Sequence, residues 1–123
     1  MKRIAIYQRG YTREDEHTSM NAQAMSIPGA EIVNTYWDHN KSERSEFRSL
    51  MAAAREGQID AIIAQSICRF TQSMAECLDV IKELHERNVR VWFNRERFWS
   101  TDPTGFIMMQ MMMDLVGEMS VEV

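Results

Sequence analysis

An α/β domain built on a mostly parallel sheet of four or five strands, flanked by helices and closed by a long C-terminal helix, is what this sequence predicts. Three observations carry that expectation. Short apolar runs alternate with stretches of helical periodicity, in the order strand, helix, strand, helix, strand, helix. The run around Ile62-Ile63-Ala64 is unbroken rather than alternating, as in a strand buried on both faces. Polar residues capable of binding anions then follow the strands: Arg9–Tyr11, Asp38 and Gln65–Arg69 all fall just past apolar runs, where open α/β sheets bind ligands.

Residues 2–8 read as the first buried strand, rich in Ile and Ala. Gly10 breaks the run, and Thr12 with Asp15 is the expected cap of a helix running towards residue 26. Pro28-Gly29 marks a turn. Residues 31–37 form the second predicted strand, followed by a polar loop from Asp38 to Glu43. Between Arg44 and Glu56, Phe47, Leu50, Met51 and Ala54 recur at helical spacing, and Gly57 is the expected stop. Residues 59–65 make the third strand. Ser73 and Glu76 stand at capping-box spacing before a helix with the stripe Met74, Cys77, Leu78, Ile81 and Leu84, ended by Asn88. Val89 to Phe93 alternates as a fourth strand.

Thr101-Asp102-Pro103 opens the last helix, with Asp102 as cap and Pro103 at its first position. Ile107, Met108, Met111, Met112, Leu115, Val116 and Met119 then cover two apolar rows, more than one small core needs. Two readings stand: a helix buried against its own sheet, or a subunit interface, to which methionine enrichment lends itself.

With 123 residues the chain fits one domain and one core, and 45% hydrophobic with 26% charged residues places it among soluble globular proteins. A net charge of −4 leaves no whole-chain basic footprint for nucleic acid, so DNA contact requires a local basic patch or a basic segment outside this sequence. Cys68 and Cys77 fit reduced thiols in a cytoplasmic protein better than a disulfide framework. No apolar run nears the roughly 20 residues of a membrane span, so no membrane partner is expected. His17, His39 and His85 lack ligand spacing, and neither a metal site nor a cofactor is expected.

The chemistry rests on arginine. Arg9, Arg44 and Arg69 each sit at an element boundary, and guanidinium groups suit bidentate recognition of phosphate and stabilise the charge of an in-line displacement. Tyr7, Tyr11 and Thr12 supply hydroxyls near the first strand end, and flanking arginines would favour a phenolate.

The order of these motifs resembles the catalytic domain of the serine site-specific recombinases, the resolvase/invertase family, and looks closest to the large serine recombinases of phages and mobile elements. Tyr7-Gln8-Arg9-Gly10-Tyr11-Thr12 stands where the family has Tyr-x-Arg-Val-Ser-Thr. Ser19-Met20-Asn21-Ala22-Gln23 is similar to the Ser-Leu-x-x-Gln segment that follows. Tyr36-x-Asp38 and Arg44-x-x-Phe47-x-x-Leu50-Met51 match the end of the second strand and the arginine-led helix. The most specific piece is Gly57-x-Ile59-Asp60-Ala61-Ile62-Ile63-x-x-Ser66-Ile67-x-Arg69-Phe70, close to Gly-x-Ile-Asp…Lys-Ser-x-Ser-Arg-Phe-x-Arg.

The resemblance implies a resolvase-like three-layer domain over residues 1–123 whose function is site-specific recombination. In the family a serine attacks a DNA phosphate, a 5′-phosphoserine link forms, and strands are exchanged within a tetramer. Carried over by position, Arg9, Arg44 and Arg69 are the phosphate-activating and DNA-binding arginines, and Asp38 is a supporting acid. The last helix, with Met108, Met111, Met112, Leu115 and Met119, would carry oligomer contacts with a second copy or another recombinase. The departures are specific. Tyr11 occupies the position of the nucleophilic serine, Gln72 that of the last motif arginine, and Gln65 that of the leading lysine. Impaired cleavage is the implied consequence, with a non-enzymatic assembly or regulatory role as the alternative. No Lys or Arg follows Arg97, so the family's basic arm and DNA-binding region are not expected within Met1–Val123; a trimmed chain and a natural remnant are both open.

Overall fold

Five strands share one sheet in the order β2–β1–β3–β4–β5: β1 (Lys2–Arg9), β2 (Ala30–Asp38), β3 (Ala61–Ala64), β4 (Arg90–Phe93) and β5 (Phe98–Trp99). The computed structural model describes residues 1–40 and 42–122, for 113–122 the backbone only. β1 through β4 pair in parallel, and β5 adds an antiparallel edge to β4. The helices are α1 (Glu14–Met25), α2 (Ser45–Arg55), α3 (Ile67–Phe70), α4 (Met74–Glu86) and α5 (Pro103–Glu122).

The period of two in β1 and β3 splits the core between the two faces of the sheet. Ile4, Ile6, Ala61 and Ile63 pack with Met20 and Ala24 of α1 on one face. Ala5, Tyr7, Ile62 and Ala64 pack on the other, under Phe47 and Leu50 of α2, Cys77, Ile81 and Leu84 of α4, and Met109 of α5. These layers are the three-layer α/β arrangement expected, and the predicted stripes on α2 and α4 face the sheet.

Several expectations need correction. Thr12 and Asp15 do not cap α1: its N-cap is Arg13, without a side-chain cap bond, and Glu14, Asp15 and Glu16 instead set negative charge against the helix dipole. The apolar pattern marks no residues for β5. It is only two residues long, set up by a tight return in which Arg97 takes φ 64° and Ser100 N–H bonds to Val91 O at 2.7 Å. α3, one turn long, leaves no periodicity to read; Ser66 caps it through the Arg69 N–H at 3.2 Å.

Asp102 does cap α5, accepting the Thr104 N–H at 2.9 Å. Gly105 is required where α5 crosses β5, because a Cβ there would lie 2.2 Å from the Phe98 ring. Among the described side chains of α5, those buried are Gly105 and Met109, outside the predicted rows, whereas Ile107, Met108, Met111 and Met112 are exposed, Met111 at 65%. For those residues the reading of a helix buried against its own sheet is therefore overturned. Leu115, Val116 and Met119 lie outside the residues whose side chains are described. Among the described residues no helix is long and apolar enough to cross a membrane.

Candidate anion-binding site

At the carboxyl end of β1 the chain makes a turn that only glycine permits cheaply. Gly10 has φ +72°, and a Cβ at this position would lie 2.9 Å from Nη1 of Arg69. The glycine thus leaves room for the Arg69 guanidinium, which donates to the carbonyl oxygens of Arg9 and, at 3.3 Å, of Tyr11. The Gly10 N–H bonds to Asp38 O at 2.7 Å, and its carbonyl accepts the Trp37 indole N–H at 2.8 Å.

Gln65, fully buried at the end of β3, holds the same turn from the other side. Its carbonyl accepts the Arg9 N–H at 3.3 Å, and its amide donates to Tyr11 O at 3.4 Å and to Glu16 at 2.8 Å. Glu16 is in turn fixed by Arg95 at 2.7 Å. The Arg95 hydrogen bonds chiefly hold the Glu16 carboxyl below its usual range, against the desolvation that raises it, with Gln65 adding to the lowering.

Arg9 is 6% exposed. Its Nη2 donates to the carbonyl oxygens of Cys68 at 2.5 Å and Thr71 at 3.3 Å, while Nε and Nη1 have no hydrogen-bond partner among the described residues. A guanidinium desolvated in this way, with donors unspent, is costly unless an anion completes it. It borders a cleft of about 580 Å³ lined by Arg9, Gly10, Tyr11, Cys68, Arg69 and Gln72. The fold therefore brings Arg9, Tyr11, Arg69 and Gln72 around one space. None of the lining residues is acidic, so the cleft suits a phosphate or similar anion.

Asp38 and Arg44 stand behind the cleft rather than in its lining. Asp38, fully buried, accepts the Tyr7 hydroxyl at 2.7 Å and the backbone N–H groups of Glu46 and Phe47 at 3.0 Å each, tying the start of α2 to β1. Arg44 pairs with Glu76 at 2.5 Å and lies 4.2 Å over the Phe47 ring, with Nη1 unpartnered among the described residues. Burial, followed by the bond to Asp38, pushes the Tyr7 phenol well above its usual range, and the opposing pull of Arg44 and Arg9 is smaller. The Tyr7 hydroxyl is thus spent as a donor to Asp38 and does not face the cleft lining. Thr12, also buried, has no partner for its hydroxyl among the described residues. Tyr11 is different: its backbone carbonyl is clamped by Arg69 and Gln65, while its side chain is 78% exposed.

Reading the residues alone missed Gly10 as a lining position, Cys68 as a wall of the cleft, and Gln65 as the clamp of the turn. Cys68 was within reach of that reading, since it sits between Ser66 and Arg69 in the most specific motif. The role of Gln65 depends on contacts across more than forty residues of sequence, to Glu16 and Arg9, and leaves no local signal.

A family model described as "Resolvase, N terminal domain" matches residues 4–120. No curated protein matches the chain. Among solved structures, the N-terminal catalytic domain of TP901-1 integrase is similar at 18% identity with a TM-score of 0.76, covering 98% of both chains. A resolvase family site-specific recombinase from Streptococcus pneumoniae is similar at 19% identity with a TM-score of 0.78, covering 96% of this chain and 89% of the other. The C-terminal catalytic domain of ISC1926 TnpA, an IS607-like serine recombinase, gives a TM-score of 0.59 at 17% identity over 74% of this chain and 67% of the other. At these identities the structural likeness speaks for the fold.

Proposed function

The chain belongs to the resolvase N-terminal domain family, and from that premise we propose that residues 1–123 form a site-specific recombination domain that holds a DNA phosphate but has lost strand cleavage. The observation that carries the binding half is Arg9, buried at the cleft with Nε and Nη1 unpartnered among the described residues. A phosphodiester entering the cleft would meet the positive charge of the Arg9 guanidinium, with Arg69 on its other side. Arg44 adds positive charge from behind, and the Asp38–Tyr7 bond keeps α2, which Arg44 precedes, in register with β1.

The catalytic half fails on geometry. In the family pattern a serine at position 11 delivers its oxygen to phosphorus. A tyrosine oxygen lies several ångströms farther from its own Cα, and a misplacement of about 1 Å already costs about a hundredfold. Gln72 lines the cleft where the family has an arginine, so transition-state charge stabilisation of about 3 kcal/mol is forfeited as well.

Incubation with a nicked recombination substrate, resolved under denaturing conditions, tests this. No covalent protein–DNA adduct is expected from the native chain, and Tyr11→Ser with Gln72→Arg should produce one. Adducts from the native chain that vanish in Tyr11→Phe would overturn the loss of cleavage.

A second reading, a non-enzymatic partner of an active recombinase, is favoured by the exposed face of Ile107, Met108, Met111 and Met112. Self-association, or co-purification with a full-length recombinase, that is lost in Met108→Lys/Met111→Lys is its expected mark. A strict monomer that ignores such partners would sink it.

A further inference from the structure

On the α1 side of the Gly10 turn three rings meet outside the cleft. Trp37 lies 5.3 Å from His17 in an edge-on contact and 5.0 Å from His39, nearly parallel at 28°. The Gln8 side-chain amide sits 2.6 Å from Nδ1 of His17 and orients that ring. Trp37 is half-buried and His39 exposed, so the outer face of the stack meets solvent. The Trp37 N–H bond to the Gly10 carbonyl links this stack to the anion cleft, because Gly10 also lines the cleft.

Support of the turn accounts for the indole N–H; it does not account for a second, exposed ring laid flat against the indole. Aromatic faces beside an arginine cleft are what a nucleotide requires: the phosphate is held by charge, and the base by stacking that tolerates any base. We propose that the Trp37–His39 stack is a platform for an unpaired nucleobase of a DNA strand whose phosphate lies in the Arg9–Arg69 cleft. The platform can act only on a base withdrawn from its own stack, because in a duplex both faces of each base are already covered. This inference rests on the DNA-phosphate reading of the cleft and adds that the strand is engaged unpaired on the β2 edge of the sheet.

Fluorescence anisotropy with three labelled DNAs of equal length separates the two claims: a single strand, the same strand with abasic positions, and a duplex. The single strand should bind about tenfold tighter than the abasic strand and should quench Trp37 emission; Trp92 and Trp99, packed against each other at 5.4 Å, provide a constant background. His39→Ala should erase most of that difference, and Trp37→Phe should retain more of it than Trp37→Ala. Equal binding of intact and abasic strands overturns the platform, as does a silent His39→Ala with equal losses in Trp37→Phe and Trp37→Ala, which would make Trp37 a support of the turn. If Arg9→Met then weakens all three DNAs alike, the phosphate reading survives the platform's failure. If Arg9→Met weakens none, the phosphate reading itself falls.

Discussion

Arg3 and Arg9 sit on one strand, and the protein treats them oppositely. Arg3, at the amino end of β1, meets Asp60 with Nε at 3.2 Å and Nη2 at 3.3 Å, and the same carboxylate accepts the Arg3 backbone N–H at 2.7 Å. Arg9, at the carboxyl end, is far more buried yet meets only backbone carbonyls through its side chain, with two nitrogens unpartnered among the described residues. A fold built for stability alone would pair the buried cation and leave the exposed one to water. The inversion fits the proposed role of Arg9 as a ligand for an anion from outside, and on that proposal the two ends of the parallel sheet divide into a structural end and a binding end.

The largest expected effect comes from replacing each arginine with methionine. Arg9→Met should lower affinity for DNA at least about tenfold, since a buried charge-assisted contact is lost. At the same time it should raise the unfolding free energy by about 1 kcal/mol, since an uncompensated buried charge is removed. Arg3→Met should leave DNA affinity unchanged and lower the melting temperature slightly. Binding by filter retention and chemical denaturation would measure both. Destabilisation by Arg9→Met with intact binding would reverse the assignment of the two ends.

How much of this contrast could be read from the residues follows from its range in sequence. The strands β1 to β4, the caps of α4 and α5 and the boundary positions of Arg9, Arg44 and Arg69 are local patterns, and each came out where apolar period, cap residues or motif order placed it, whereas the cap expected for α1 did not. The division of labour among the arginines is not local. Arg44 is kept partnered by Glu76 on α4, and Arg69 is drawn into the Gly10 turn because that residue lacks a side chain. Asp38, placed by position as a supporting acid, spends its hydrogen bonds on Tyr7 and the first turn of α2, which only the pairing of β1 with β2 and the seat of α2 can reveal. The last helix taught a similar lesson, since Gly105 and Met109, and not Met108, Met111 or Met112, are buried there.

A smaller effect uses the two cysteines as reporters of the binding end. Cys68 is exposed and lines the cleft, with its carbonyl bonded to Arg9. Cys77, on the buried face of α4, lies in the core, where burial pushes its thiol up to about 12. In the native protein a maleimide should label Cys68 and spare Cys77, and bound DNA should slow labelling of Cys68. Mass spectrometry of the alkylated peptides checks it. Labelling of Cys68 that ignores saturating DNA would place the phosphate elsewhere.

The smallest effect is also the most specific to the pairing difference. Arg3's side-chain hydrogen bonds, followed by its backbone N–H, hold the Asp60 carboxyl below its ordinary value of 3.8. A carboxyl depressed on folding stabilises the native state fully above its unfolded value, and that contribution is lost as pH falls through the folded one. Stability measured from about pH 7 downward should therefore show an acid limb, steepening below about pH 4, that Arg3→Met flattens in part, the backbone N–H bond to Asp60 remaining. Glu16 and Glu83, lowered chiefly by hydrogen bonds from Arg95 and Arg55, maintain the rest of that limb in both variants. Arg9 has no carboxylate in salt-bridge contact among the described residues, so Arg9→Met should shift the whole curve by a constant and leave its acid slope alone. A change of slope in Arg9→Met would reveal a hidden acidic partner, and the contrast between the two ends of β1 would then be one of exposure and no longer one of pairing.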